Sequence, residues 1–524
     1  MYDAVIVGTG ASAAAAALEL QDKNLLILDV GLKPHKNIDL KENIFALREK
    51  DNDQYNYLIG ENFESLANIE AADLVSVKLK APYVSYVIND SARYLKIESE
   101  NFFPYISFAY GGLANAWGAG AYIYTDYDLR DFPIKNADLE PFYEKLTEHI
   151  GVSGKDDDLT PFFGSCKYLQ KELNPGLNAR HLLQSYQKRK KYFRERGITI
   201  GRSRLAVLTE EKNGRKSCDY ENTGYFSCNI PYIYTPTVTF DRLKTKSNIT
   251  LLDGFLVETF AEQANAVTIK AKEIKTGKTV LFKGKKLLLA AGTIGTAKIV
   301  LSSFNDYAAC LPILDNPFSV TPFVDLRAVG SPVDRCGYEG VLLNLIYEGP
   351  LFPHRVQGSI SSYISPLRGD VFFDFPLSIK GNLVCTRQLL PALAVLLLFY
   401  PDFPGENNYL KLLDKDTLHI HYTDTAQYGA VEKHIIRSFY RAGFVSAPFL
   451  SRFMPPGKSI HYAGTIPMCR EERKYFVNRD CRLERTAHVH IIDGSVFPVL
   501  PAKNLTFTLM ANAMRAAHKI KKEL

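Results

Sequence analysis

The stretch Val5–Ala15, VIVGTGASAAA, decides how the chain begins to fold. It opens inside DAVIVG (Asp3–Gly8), a continuous apolar strand of the kind found in a parallel sheet covered on both faces. It runs on into ASAAAAALELQ, an alanine-rich helix former, and NLLILDVG (Asn24–Gly31) follows as a second buried strand. Strand, tight turn, helix and strand together open a doubly wound sheet. Gly8, Gly10 and Ala13 stand in the G-x-G-x-x-G/A spacing. Gly8 permits the turn, Gly10 lets backbone approach a pyrophosphate, and Ala13 lets helix pack closely on strand. The free N–H groups that start the helix offer the positive end of its dipole to phosphates. Asp29 ends the second strand, 19 residues after Gly10, where a carboxylate can hydrogen-bond an adenosine ribose. The loop predicts dinucleotide binding and leaves FAD and NAD both open.

Composition bounds the rest. A chain of 524 residues exceeds one ordinary core and suits two joined domains. The net charge of +6 is small for this length, and the one dense basic run, KRKK at Lys188–Lys191, reads as the solvated face of a helix; neither points to nucleic acid. MYDAVIVGTG starts directly in a strand without the basic segment of a signal peptide. The longest apolar run, LLPALAVLLLFY (Leu389–Tyr400), contains a proline and falls short of the ~20 residues that span a bilayer; it reads as a buried helix. With eight scattered cysteines, the expectation is a cytoplasmic protein with reduced thiols and no transmembrane segment. No metal-binding or serine-hydrolase motif is present, so no metal is expected.

Further along, NITLLDG, FLVETFAEQ, AVTIKAKEI and TVLFKG read as short β segments of a meander from Asn248. KKLLLAAGTIGTAKIVLSS (Lys285–Ser303) returns to buried strand, small-residue turn and helix. DTLHIHYTD (Asp416–Asp424) alternates like a strand, and VEKHIIRSFYRAGF (Val431–Phe444) is an amphipathic helix ending near Gly443. The end of the chain is a strand, a turn region with two prolines and a closing helix. In between, FAYGGLANAWGAGAY (Phe108–Tyr122) sets glycines and alanines around the single tryptophan, Trp117, so that backbone can lie against a flat ligand.

Four of these blocks, in this order, resemble the glucose-methanol-choline (GMC) oxidoreductases: VIVGTGASA with Asp29, the GGLANAWGAG run, LLLAAGTIGTAKIVLSS, and SIHYAGT followed by IIDGSVFPVLPAKNLTFTLMANAMRAA. The resemblance implies an α/β fold: a doubly wound FAD-binding domain built from discontinuous segments (1–135, 215–309 and 478–524), with an α+β substrate domain carrying an antiparallel sheet (136–214 and 310–477). It implies that Gly111, Gly112, Asn115 and Gly118 line the flavin, that Asp493 and Gly494 sit by the ribityl–pyrophosphate region, and that Val257 lies near the adenine. Ala11, Ala291 and Thr506 complete the implied cofactor contacts. Relatives with covalent flavin carry a histidine in the glycine block where this chain has Ala116, so the expected FAD is non-covalent. Relatives with a similar run often carry a cysteine-rich segment; here CDYENTGYFSC keeps only Cys218 and Cys228, too few for a Cys₄ site, and a structural role or none is expected.

By the same likeness His461 occupies the place of the family's catalytic histidine and Asn504 that of its His/Asn partner. Flavin oxidation of an alcohol sends the O–H proton to a base and the C–H hydride to N5, and a neutral imidazole can be that base. An amide can hold the substrate oxygen and donate to the charge it develops. The expectation is therefore an FAD-dependent enzyme, most similar to bacterial members, oxidising a CH–OH group of a sugar, polyol or natural-product alcohol. Oxygen or another acceptor would reoxidise it. An NAD-dependent dehydrogenase and a non-redox lyase or decarboxylase on the same scaffold are the alternatives. His419, His421, His488 and His490 read as packing or surface residues.

Overall fold

The apolar runs flanking the first glycine loop become parallel neighbours, Tyr2–Val7 against Leu25–Leu28, with Leu25–Leu28 buried along its whole length. In this computed structural model, which describes residues 1–34, 49–58, 60–62, 79, 82–220, 232–332, 334, 337–338, 340–362, 377–424, 428–470 and 473–524, they are the middle of a seven-stranded sheet. Its order is Ile249–Leu252, Leu25–Leu28, Tyr2–Val7, Thr279–Leu289, Ala266–Glu273 and Phe255–Gln263, with Val489–Ile491 also paired to Thr279–Leu289. Thr279–Leu289 is one strand where the sequence suggested two segments. It changes neighbours at Gly284: residues 279–284 pair antiparallel with the 266–273 strand, and 284–289 pair parallel with Tyr2–Val7. A Cβ at Gly284 would lie 2.7 Å from Val5 Cγ2, so only glycine lets the two strands meet there. The helix Ala11–Glu19 packs its alanines on the closing helix Thr506–Glu523, whose own alanines are buried. The first and last blocks of the chain thereby share one core.

A second sheet is antiparallel throughout, in the order Phe444–Val445, Phe318–Asp325, Leu393–Phe399, Phe352–Ser362, Leu343–Gly349 and Ile198–Arg202, with Arg452–Phe453 on the outer edge of Phe318–Asp325. Here one expectation fails. The run Leu389–Tyr400 is not a buried helix: a helix Ile379–Leu389 ends before Pro391, and Leu393–Phe399 is a central strand. Its alternate residues Ala394, Leu396 and Leu398 enter the core, while Val395, Leu397 and Phe399 face a cavity. A strand that is apolar on both faces shows no period of two, and that hid it.

The alternating DTLHIHYTD forms Thr417–His421 in a small four-stranded sheet, where His421 Nδ1 lies 2.9 Å from Glu100 Oε2. The amphipathic helix is Gly429–Tyr440, and Gly443 follows it at φ 82°. The basic run at 188–191 spans the end of one helix and the start of another and is mostly exposed. Cys218 is buried, which pushes its thiol up to about 12; Cys228 lies outside the described residues. Among the described residues no helix is long and apolar enough to cross a membrane, and no group of His, Cys, Asp and Glu could hold a metal ion.

Candidate active site

The glycine loop is shaped by what a side chain would strike. Gly8 sits at φ 99°, and a Cβ there would lie 2.4 Å from the Ala290 carbonyl oxygen. Gly10, Gly118 and Gly292 are the opposite case: a Cβ at each would project into open space. The helix that follows Gly10 has no side-chain cap and no acid in its first turn, so its leading N–H groups remain available to an anion. Thr9 Oγ1 donates to the Asp29 carboxylate and accepts the N–H of Gly111 at 2.9 Å, tying the first loop to the second glycine run. Burial pushes the Asp29 carboxyl up to about 7, and hydrogen bonds led by that from Thr9 oppose the shift.

The GGLANAWG run folds as a short 3₁₀ turn, Gly112–Ala116. Asn115 Nδ2 closes it on the Tyr110 carbonyl at 2.8 Å, and Trp117 Nε1 donates to the Tyr234 carbonyl at 2.7 Å. At the chain's end Asp493 accepts from Thr296 Oγ1 at 2.5 Å and from the Ser495 N–H at 3.0 Å. Gly494 leaves no room for a Cβ, which would stand 2.6 Å from both Thr293 Oγ1 and the Tyr462 carbonyl oxygen.

His461 and Asn504, 43 positions apart in the chain, meet with Nε2 and Nδ2 separated by 3.3 Å. The orientation of each ring and amide follows from backbone groups that cannot exchange donor for acceptor. Asn316, fully buried, donates Nδ2 to the carbonyls of Tyr400 (2.8 Å) and Pro501 (3.1 Å), so its Oδ1 is left to accept from His461 Nδ1–H at 3.0 Å. Asn504 accepts the Thr506 N–H on Oδ1 at 3.1 Å, so its Nδ2 is the end that faces His461. The imidazole therefore carries its proton on Nδ1 and presents a lone pair at Nε2. Burial lowers its pKa to about 4, keeping it neutral. The residue before it, Ile460, holds φ 64°, a strained conformation for a β-branched side chain. Buried Asp315 anchors this segment by accepting from the Gly457 N–H (2.8 Å) and from Ser459 Oγ, which in turn accepts the His461 N–H at 2.9 Å.

Both glycine loops and the His461–Asn504 pair border one cavity of about 1700 Å³. Single-ligand sites run to ~300–1,000 Å³, so the space suits an elongated cofactor with a second molecule beside it. Gly8, Gly10, Ala11, Asp29, Gly112, Gly118, Val257, Ala291, Asp493, Gly494, Thr506, His461 and Asn504 line it. Ala13, Gly111 and Asn115 do not: Ala13 is buried in the helix packing, Gly111 takes the left-handed turn at φ 95°, and Asn115 holds that turn closed. His419, His421, His488 and His490 lie elsewhere, and burial lowers the pKa of His490 to about 4. Two parts of the site escaped the sequence reading. One is Asn316 in LDNPF, for which the only local signal was an Asn-Pro pair. The other is the cavity face of the second sheet.

Residues 453–513, which contain both His461 and Asn504, match the family model described as GMC oxidoreductase. Comparison with curated proteins finds no match. Among solved structures the chain is similar to pyridoxine 4-oxidase from Mesorbium loti, with a TM-score of 0.62 and 12% identity over 99% of each chain. At that identity the likeness is one of fold.

Proposed function

We propose, for a chain whose C-terminal segment belongs to the GMC oxidoreductases, that it binds FAD non-covalently and oxidises the CH–OH group of a small-molecule alcohol to a carbonyl. FAD supplies the hydride acceptor. The glycine loop, the helix N-terminus behind Gly10 and Asp29 fit the ADP half, because they offer open backbone, unpaired N–H donors and a carboxylate acceptor along one wall. Gly112, Ala114, Ala116, Gly118 and Gly494 fit a flat ring, because little projects from them, and Leu113, Trp117 and Thr506 border the same cavity. In this reading the doubly wound FAD domain comprises 1–135, 215–309 and 478–524, and the substrate domain comprises 136–214 and 310–477. The second sheet draws its strands from 198–202 and 318–453, within the latter.

The observation that carries the chemistry is the oriented pair at the cavity wall. The alcohol O–H donates to His461 Nε2 while Asn504 Nδ2 donates to the same oxygen. A separation of 3.3 Å lets one oxygen sit at ~2.8 Å from both nitrogens. As His461 takes the proton, Asn504 and the imidazolium face the charge growing on oxygen, and Asn316 keeps the Nδ1 proton where it was. A base weakened by burial leaves the alcohol protonated until the transition state. The test is anaerobic mixing of the yellow holoprotein with alcohols. Bleaching of the flavin supports oxidation, and a colourless purified protein that takes up no FAD contradicts it.

A further inference from the structure

Beyond the reacting pair the cavity runs along the second sheet, and the strand registers lay out its wall. Arg452 pairs with Val320, Val320 with Leu397 and Leu397 with Ser359, and all four line the cavity. Directly opposed residues of antiparallel strands share a face, so Arg452 heads a row whose middle is apolar. In the next row Phe318 stands opposite Phe399, with their rings stacked at 5.1 Å, and the Phe399 ring lies 5.3 Å from that of His461. An apolar wall thus joins the reacting pair to a cation at the edge of the sheet. Counted over the sheet, the Arg452 backbone stands ~10 Å across and ~7 Å along from that of Phe399.

The neighbours of Arg452 aim it. Ser451 and Phe453 belong to the other face of the sheet: Thr321 Oγ1 donates to Ser451 Oγ at 2.9 Å, and the Phe453 ring stacks on that of Tyr428 at 5.4 Å. With both of these pinned, alternation along the strand turns Arg452 toward the cavity. Its guanidinium is exposed there and has no hydrogen bond or ion pair among the described residues. Lys458, in the segment that leads to His461, is a second cation on the cavity, with Nζ 2.9 Å from Tyr105 Oη. The acids that line the cavity are Asp29, Glu258, Asp416 and Asp493, and they come from the first sheet, its connections and the small four-stranded sheet. Among the described residues the second sheet and the segment 445–461 add none. A molecule lying along this wall therefore meets positive charge and no carboxylate.

Building on the alcohol-oxidation reading above, we infer that the substrate is an alcohol carrying an anionic group, a carboxylate or a sulfate or phosphate equivalent, at the far end of an apolar body. The body lies on Phe399, Phe318, Leu397 and Val320, and Arg452 pairs with the anion at the rim. The span of the wall calls for an anion held away from the carbinol by a ring and a short chain, or by a chain of similar length.

The experiment uses FAD-loaded protein, mixed anaerobically with benzyl and straight-chain primary alcohols, each in three forms that differ only at the far end: a carboxylate, its methyl ester and a primary ammonium. Flavin reduction per unit concentration is expected to be about 5–10-fold faster with the carboxylate than with the ester at low salt, and slowest with the ammonium. Because the ion pair is exposed to solvent, the carboxylate's advantage is expected to shrink as salt is raised. In Arg452→Glu, checked for bound FAD, the order is expected to reverse, with the ammonium overtaking the carboxylate. The salt series on the parent protein needs no variant, so it tests the pairing even where the substitution disturbs the edge strand. A carboxylate no faster than its ester, an advantage indifferent to salt, or an order unchanged in Arg452→Glu would overturn the anionic substrate and leave alcohol oxidation standing. Reduction by none of the alcohols would count against alcohol oxidation itself.

Discussion

Replacing Asn316 by leucine, which branches at the same atom but is bulkier, removes three hydrogen bonds without opening a cavity. Two are the donations to the Tyr400 and Pro501 carbonyls at 2.8 and 3.1 Å, and the third is the acceptance from His461 Nδ1 at 3.0 Å. At a net ~0.5–1.5 kcal/mol each, stability is expected to fall by about 2–4 kcal/mol. The effect on rate is separate. One neutral hydrogen bond of about 1 kcal/mol holds the Nδ1–H tautomer by roughly 5-fold, and losing the ring's orientation adds to that, so flavin reduction at saturating alcohol is expected to slow by ~10–100-fold. A purely structural residue would not shift the pH profile, so Asn316→Asp is the companion. Its carboxylate, where ionised, still accepts from Nδ1–H but favours imidazolium, and the acid limb of the rate profile is expected to move upward. Stopped-flow reduction across pH measures both. Parent-like rates in Asn316→Leu together with an unmoved limb in Asn316→Asp would refute the argument that this amide sets the base.

Three further outcomes follow from the geometry. In the parent the neutral, reactive imidazole exists above its pKa of about 4, so reduction should stay level as pH falls through the ordinary imidazole range and decline only near pH 4–5 in a pH-jump experiment. Gly8→Ala puts a Cβ 2.4 Å from the Ala290 oxygen at φ 99°, and FAD retention after gel filtration should be lost. Lys503, beside Asn504, is buried against the Asp128 carboxylate and the Ile123 and Phe162 carbonyls; Lys503→Met leaves that carboxylate without its cation and should lower unfolding free energy in urea by ~3–5 kcal/mol, part of which Asp128→Asn restores.

What could be read in advance was local. The first loop announces itself because both parallel strands are continuous apolar runs and the glycines between them answer to contacts only a few residues away. The strand Leu393–Phe399 was misread because a cavity on one face and a core on the other both favour apolar side chains. Asn316 was invisible for a different reason. Its partners, His461, Tyr400 and Pro501, lie 145, 84 and 185 positions distant, and nothing in LDNPF encodes them.

The most direct measurement is single-turnover anaerobic reduction of the FAD-loaded protein, parent against His461→Ala, with bound FAD quantified in both. With His461 as the base, FAD is expected to stay bound and reduction to slow by ~10²–10⁴-fold. A variant that keeps its FAD and bleaches at the parent rate would contradict it.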